Sequence, residues 1–128
     1  MIAAENGILA HWSAEDLQHE LRGFPEPTRM AALQLRESAA PGSLESFVLR
    51  VLEFYLPKGT ERDLRAQPKE ARLREDLGID SLAFSEAAFK FEDLFGVRLE
   101  NSELAALTTL ADLKTYMEAK LGFSVVPN

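Results

Sequence analysis

The sequence predicts an all-α fold: a bundle of three main helices and one short one, preceded by a helical extension. Two observations carry this expectation. Apolar residues recur at helical spacing in several separate stretches, and no run alternates with period two for long enough to make a strand. Helix boundaries are also written into the chain, with Ser13, Ser43, Asp80 and Thr109 as N-cap candidates and Gly- and Pro-bearing segments as stops.

The first 42 residues read as two short helices between breakers. Ser13 precedes Glu15 and Asp16, a capped and acidic first turn, and Leu17 and Leu21 follow four apart on one face. Gly23-Phe24-Pro25-Glu26-Pro27 ends that segment. Thr28 to Arg36 forms a second helix with Met30, Leu33 and Leu35 as its apolar residues, and Ser38-Ala39-Ala40-Pro41-Gly42 reads as a linker. Trp12, Leu17, Leu21, Phe24 and Leu33 need apolar cover, which favours packing of this extension onto the bundle over a separate docking element around Trp12 or a mobile segment, the two readings that stay open. The domain division is therefore 1–42 as an extension and 43–128 as the bundle.

Ser43 caps the first main helix, whose apolar positions are Leu44, Phe47, Val48, Val51, Leu52 and Tyr55; Pro57-Lys58-Gly59 ends it. Residues 58–76 form a charged connection anchored by Leu64 and Leu73. Asp80 caps a helix from Ser81 to Phe95 that Gly96 terminates. Asn101 or Ser102 opens a short helix through Leu107. Thr109 and Asp112 then form a capping box before a last helix carrying Leu110, Leu113, Met117 and Leu121.

Composition narrows the function. The net charge is −7, which disfavours a nucleic-acid partner and favours partners with basic surfaces. No apolar run approaches the ~18 residues of a membrane-spanning helix. The first residues lack the basic and apolar regions of a secretory signal. The absence of cysteine fits a cytoplasmic location without excluding export, and it removes thiolate nucleophiles and thiolate metal sites. The only histidines, His11 and His19, have no metal-binding spacing and no fixed relation to any serine, so no catalytic or metal residues are expected and an enzyme is disfavoured.

Asp76-Leu77-Gly78-Ile79-Asp80-Ser81-Leu82 is the most informative stretch. Gly78 permits a tight turn, Ile79 can tuck inward, and Asp80 places Ser81 at the first position of a helix. That position presents unpaired backbone N–H groups and roughly half a positive charge, which favour an anion such as a phosphate ester on the Ser81 hydroxyl. Asp-Ser at a helix start is also a common capping pattern, so this fragment alone does not decide between the two.

The context does. The stretch resembles the phosphopantetheine attachment motif of acyl carrier proteins, Asp-Leu-Gly-x-Asp-Ser-Leu, at every position. An amphipathic helix follows with Glu86, Glu92, Asp93 and Phe95 at matching positions, then a Thr108-Thr109 pair opening the last helix. The resemblance covers most of residues 43–121. It implies that a phosphopantetheinyl transferase uses coenzyme A and Mg²⁺ to place a 4′-phosphopantetheine arm on Ser81. The arm's thiol would hold acyl groups as thioesters and carry them between enzymes. It further implies that Asp80 helps meet the transferase and that the following helix docks acyl-transferring and chain-elongating enzymes with basic surfaces. Leu82, Glu86, Phe89, Glu92 and Asp93 are the docking candidates, with Phe89 reading equally as a partly buried edge of the core, and a monomer is expected. Gly78-Ile79-Asp80-Ser81 points to the acyl type rather than peptidyl carriers, which usually have Gly-Gly-x-Ser.

Departures from the family pattern are Ala83 for an acidic residue, Ser85 and Phe89 for exposed aliphatics, Lys90 within the acidic surface and Glu100 for a proline. They suggest a carrier with dedicated partners. Fatty acid, polyketide and specialised lipid routes all fit. The rival reading is a non-acylated interaction domain on the carrier fold.

Periodicity sorts the helix after Ser81 independently. Phe84, Ala88, Phe91 and Phe95 should face the core with Ala87 and Leu94, opposite Phe47, Val51 and Met117; Leu82, Ser85, Glu86 and Phe89 fall on the other side. In this family acyl chains often lodge between the helices, so Phe84, Phe91 and Phe95 would line that cavity.

Overall fold

The computed structural model describes residues 8–38, 40–57 and 63–122. Six α-helices occur among them, α1 (Ala14–Glu20), α2 (Glu26–Glu37), α3 (Pro41–Phe54), α4 (Ser81–Phe95), α5 (Asn101–Ala105) and α6 (Leu110–Lys120), with a single 3₁₀ turn at Leu64–Ala66. No strand is found among the described residues; Arg72 and Thr109 form an isolated antiparallel bridge. The all-α expectation holds, with α3, α4 and α6 as the main helices and α5 as the short one.

Several boundaries differ from the sequence expectation, and proline explains the larger differences. Pro25-Glu26-Pro27 starts α2 instead of merely ending what precedes it: Pro25 is the N-cap and Pro27 lies in the first turn. Proline is tolerated there because a first-turn N–H needs no intrahelical acceptor and φ is already set. Likewise α3 begins at Pro41 with Ala40 as its N-cap, so Ser43 is an ordinary first-turn residue and not the cap. Of the expected linker, Pro41 and Gly42 are helical, and Ala39 lies outside the described residues. In α2 the buried stripe is Thr28, Ala32 and Leu35, whereas Met30 is exposed and Leu33 half-buried. Small residues at two of the three buried positions let α2 approach its neighbour closely.

Elements with explicit caps form where expected. Ser13 Oγ accepts from Asp16 N at the start of α1. Gly96 ends α4 with φ 70°, a left-handed conformation that glycine adopts without a Cβ penalty. Thr109 and Asp112 form the capping box of α6, and Asp112 also accepts from Thr108 N. These backbone donors hold the Asp112 carboxyl below its usual range. α5 stops at Ala105, short of the expected Leu107. At the other end of the first main helix, Tyr55 is the C-cap of α3. Lys58 and Gly59 of the expected stop lie outside the described residues.

One buried core runs through the described chain and includes residues of both the extension and the bundle. Leu17, Leu21 and Phe24 are buried, and Trp12 is half-buried with its Nε1 donating to the Leu94 carbonyl of α4 at 2.9 Å. Arg36 Nε donates to the Trp12 carbonyl at 2.6 Å, tying α2 to the same point. Lys90 on α4 reaches Glu20 on α1 at 2.9 Å and lies 5.7 Å from the centre of the Phe24 ring. The expected packing of the extension onto the bundle is thus observed. Leu64 and Leu73 anchor the charged connection, both buried; its residues 58–62 lie outside the described set.

Candidate functional site

The segment Arg72–Asp80 folds back on itself through its own backbone. Asp76 N and Leu77 N donate to the Arg72 carbonyl at 3.0 and 3.1 Å, Gly78 N to Arg74 O at 3.1 Å, and Ile79 N to Leu73 O at 2.9 Å. Gly78 takes φ 75°, which a side chain would strain, although a Cβ there would meet nothing closer than Pro57 at 3.7 Å. Leu77 and Ile79 on either side are buried and pin the turn to the core. Asp76 Oδ2 accepts from Arg72 N at 2.8 Å. That bond, with the Arg72 side chain behind it, holds the Asp76 carboxyl below its usual range. The connection is also held to α6: Leu73 N donates to Thr108 O at 2.8 Å and Leu110 N to Ala71 O at 3.0 Å.

Asp80 is extended and its Oδ1 accepts from Ala83 N at 2.8 Å, so it caps α4 and leaves Ser81 as the first helical residue, exposed to solvent. Arg74 Nη2 donates to Ser81 Oγ at 2.9 Å. Sequence reasoning missed Arg74: it sits seven residues before Ser81, and only the fold-back through Gly78 brings the two together.

An open cleft of about 410 Å³ starts at Ser81 and runs between α4 and α5. Leu73, Ile79, Phe84, Leu104 and Leu107 give it apolar walls; Ser85, Asn101 and Thr108 are polar. Of the three phenylalanines expected to line an acyl cavity, Phe84 alone does so, and it is half-buried instead of core. Phe91 and Phe95 are packed in the solid core, stacked with ring centres 6.1 Å apart, and Phe95 meets Phe47 edge-on at 6.0 Å. Val51 and Met117 are buried with them. A smaller cavity of about 60 Å³ between α3 and α6 shares no lining residue with the Ser81 motif.

The outer face of α4 is as expected except at two positions. Leu82 is 70% and Phe89 66% exposed, and Glu86 and Asp93 are exposed beside them. Glu92 is not exposed: it is half-buried, and its Oε2 accepts from Leu99 N at 2.7 Å, because the chain turning at Gly96 brings that N–H back. Lys90 does not interrupt the acidic face freely, since its ammonium is held by Glu20 of the extension. Burial first, and the nearby Glu86 charge second, push the Tyr55 hydroxyl pKa up. His11 and His19 are exposed and neither lines the cleft.

The site is thus a serine in the first turn of α4, capped by aspartate and opening onto a cleft, on a bundle of three main helices and one short one. Residues 62–117 match the family described as "Phosphopantetheine attachment site". The chain is 41% identical over 54 residues to an acyl carrier protein of Thermotoga maritima, spanning 42% of this chain and 67% of that one. It is 34% identical over 74 residues to acyl carrier protein 3 of Ralstonia nicotianae, spanning 58% of this chain and 85% of the relative. Acyl carrier protein MbtL of a Mycobacterium species is 37% identical over 59 residues, spanning 46% and 66%. The chain belongs to the acyl carrier protein family. Its prosthetic group is a covalently attached 4′-phosphopantetheine, and its role is that of a carrier and not an enzyme. Such a domain interacts with a phosphopantetheinyl transferase and with biosynthetic enzymes. Among the described residues, no helix is long and apolar enough to cross a membrane.

Proposed function

We propose that Ser81 is the attachment point of the 4′-phosphopantetheine arm. In this reading residues 43–128 are the carrier domain, a cytoplasmic monomer with residues 1–42 as its extension. It delivers acyl thioesters between enzymes of fatty acid, polyketide or specialised lipid biosynthesis. The observation that carries the proposal is the geometry at Ser81: an exposed hydroxyl on the first residue of a 15-residue helix, with a guanidinium 2.9 Å from its oxygen. The site suits the group. First-turn N–H groups and a cation stand where a phosphodiester would place its charge. In the attachment step a bond forms between Ser81 Oγ and phosphorus, and the pyrophosphate bond of coenzyme A breaks. Adenosine 3′,5′-bisphosphate leaves, and the serine proton passes to a base on the transferase. The apolar cleft beside Ser81 offers cover for part of an arm or its cargo.

Acyl loading separates this reading from a non-acylated interaction domain. Holo protein charged by an acyl-transferring enzyme should gain the acyl mass, and hydroxylamine should remove that mass while the arm stays. If holo protein offered a panel of acyl donors never gains a hydroxylamine-labile mass, the delivery role is wrong.

For docking, we place Asp80, Leu82, Glu86, Phe89 and Asp93 on the surface that meets partners. Glu92 is given a smaller part, since its carboxylate is already engaged by Leu99. Reversing Glu86 or Asp93 to lysine should weaken binding to a basic partner by ~0.2–1 kcal/mol each, less at high salt. Glu20→Gln should act in the same direction although it lies on α1, because it releases the Lys90 ammonium onto the acidic face. Affinity indifferent to all three changes and to salt would remove the electrostatic docking account.

A further inference from the structure

We propose that Arg74 is a positioning residue for the phosphodiester of the arm: its guanidinium holds the phosphate at the rim of the cleft and so sets the direction in which the arm leaves α4. The inference rests on Ser81 as the attachment point and adds a residue that the attachment motif does not contain. Arg74 Nη2 already touches Ser81 Oγ at 2.9 Å. The phosphate's non-bridging oxygens stand two bonds beyond Oγ, across the phosphorus, so a donor in contact with Oγ is within a side-chain rotation of them.

The guanidinium is also available. Arg72, two residues earlier in the same turn, is engaged by Asp76 at 3.4 Å. Arg74 forms no ion pair among the described residues, and the bond that the structure gives its side chain is to Ser81. The backbone fixes where that side chain emerges, since Gly78 N binds the Arg74 carbonyl at 3.1 Å and Ile79 N binds the carbonyl of Leu73 before it at 2.9 Å. Arg74 and Ser81 both line the cleft, as do Asn101, Thr108 and the Glu75 carboxylate. An arginine stays charged across all working pH values and presents paired N–H groups that match two phosphate oxygens, which a lysine does not. A phosphate held by the first turn of α4 on one side and Arg74 on the other has fewer orientations open to it than one held by the helix alone.

The test uses the full chain modified with coenzyme A, Mg²⁺ and a broad-specificity transferase, as wild type, Arg74→Lys and Arg74→Gln. Intact mass is read first and the phosphorus-31 resonance of the phosphodiester second. All three proteins should gain one arm. The wild-type resonance should stand apart from that of the same protein unfolded in urea. In Arg74→Gln it should move toward the unfolded position, and Arg74→Lys should fall between, keeping the charge without the fork. High salt should move the wild-type resonance in the same direction. The contribution of the helix N-terminus is common to all three, so the differences report the guanidinium. Superimposable resonances from three fully modified, folded proteins would overturn the role of Arg74 while leaving Ser81 in place. No arm on any of them would overturn the attachment reading itself.

Discussion

Truncating Phe91 to alanine is expected to cost ~3–5 kcal/mol of folding stability, the range for removing a fully buried aromatic ring. Phe91 is 2% exposed and stacks on Phe95, which in turn meets Phe47 of α3 edge-on, so the lost ring leaves a hole where α4 joins α3. Total stability for a domain of this size is only ~5–15 kcal/mol, so the variant should melt far below the wild type. Phe89→Ala, two positions back along the same helix, should change stability by about 0.5 kcal/mol or less, because its ring is 66% exposed. Its effect should fall on acyl transfer to partner enzymes. Thermal melts of both variants beside their transfer rates check the pair. A destabilised Phe89→Ala with an unaffected Phe91→Ala would mean that the faces of α4 are reversed.

Those faces were legible in the sequence because α4 is a long helix with both ends marked, Asp80 at its start and Gly96 at its end. The helical period then sorts Ala87, Ala88, Phe91, Leu94 and Phe95 from Leu82, Glu86 and Phe89 without reference to the rest of the chain. Phe84 obeys the same period and packs against the core, yet it stays half-buried because it also borders the cleft between α4 and α5. Periodicity gives the side of a helix and says nothing of what lies opposite. The starts of α2 and α3 were misread for a different reason. A proline is a stop within a helix and a favoured residue in its first turn, and local sequence does not separate the two uses at Pro25, Pro27 or Pro41.

The site was legible where it is local and obscure where it is not. Asp80 and Ser81 are neighbours, and their roles as cap and first helical residue follow from residue type. Arg74 reaches Ser81 only because Gly78 reverses the chain between them. Glu20 and Lys90 are 70 residues apart, and their pairing depends on how the extension packs against α4. Glu92 looked like one more surface carboxylate on an acidic helix, but the chain after Gly96 returns an N–H for it to accept.

Intact-protein mass after incubation with coenzyme A, Mg²⁺ and a transferase tests the central claim most directly. Wild type should gain the mass of a single phosphopantetheine arm, and Ser81→Ala should gain none. The substitution should leave folding intact, because the cap of α4 is made by Asp80 and the serine side chain is exposed, so the helical circular dichroism signal should match wild type. A folded Ser81→Ala protein that takes up the arm as fully as wild type would contradict the account.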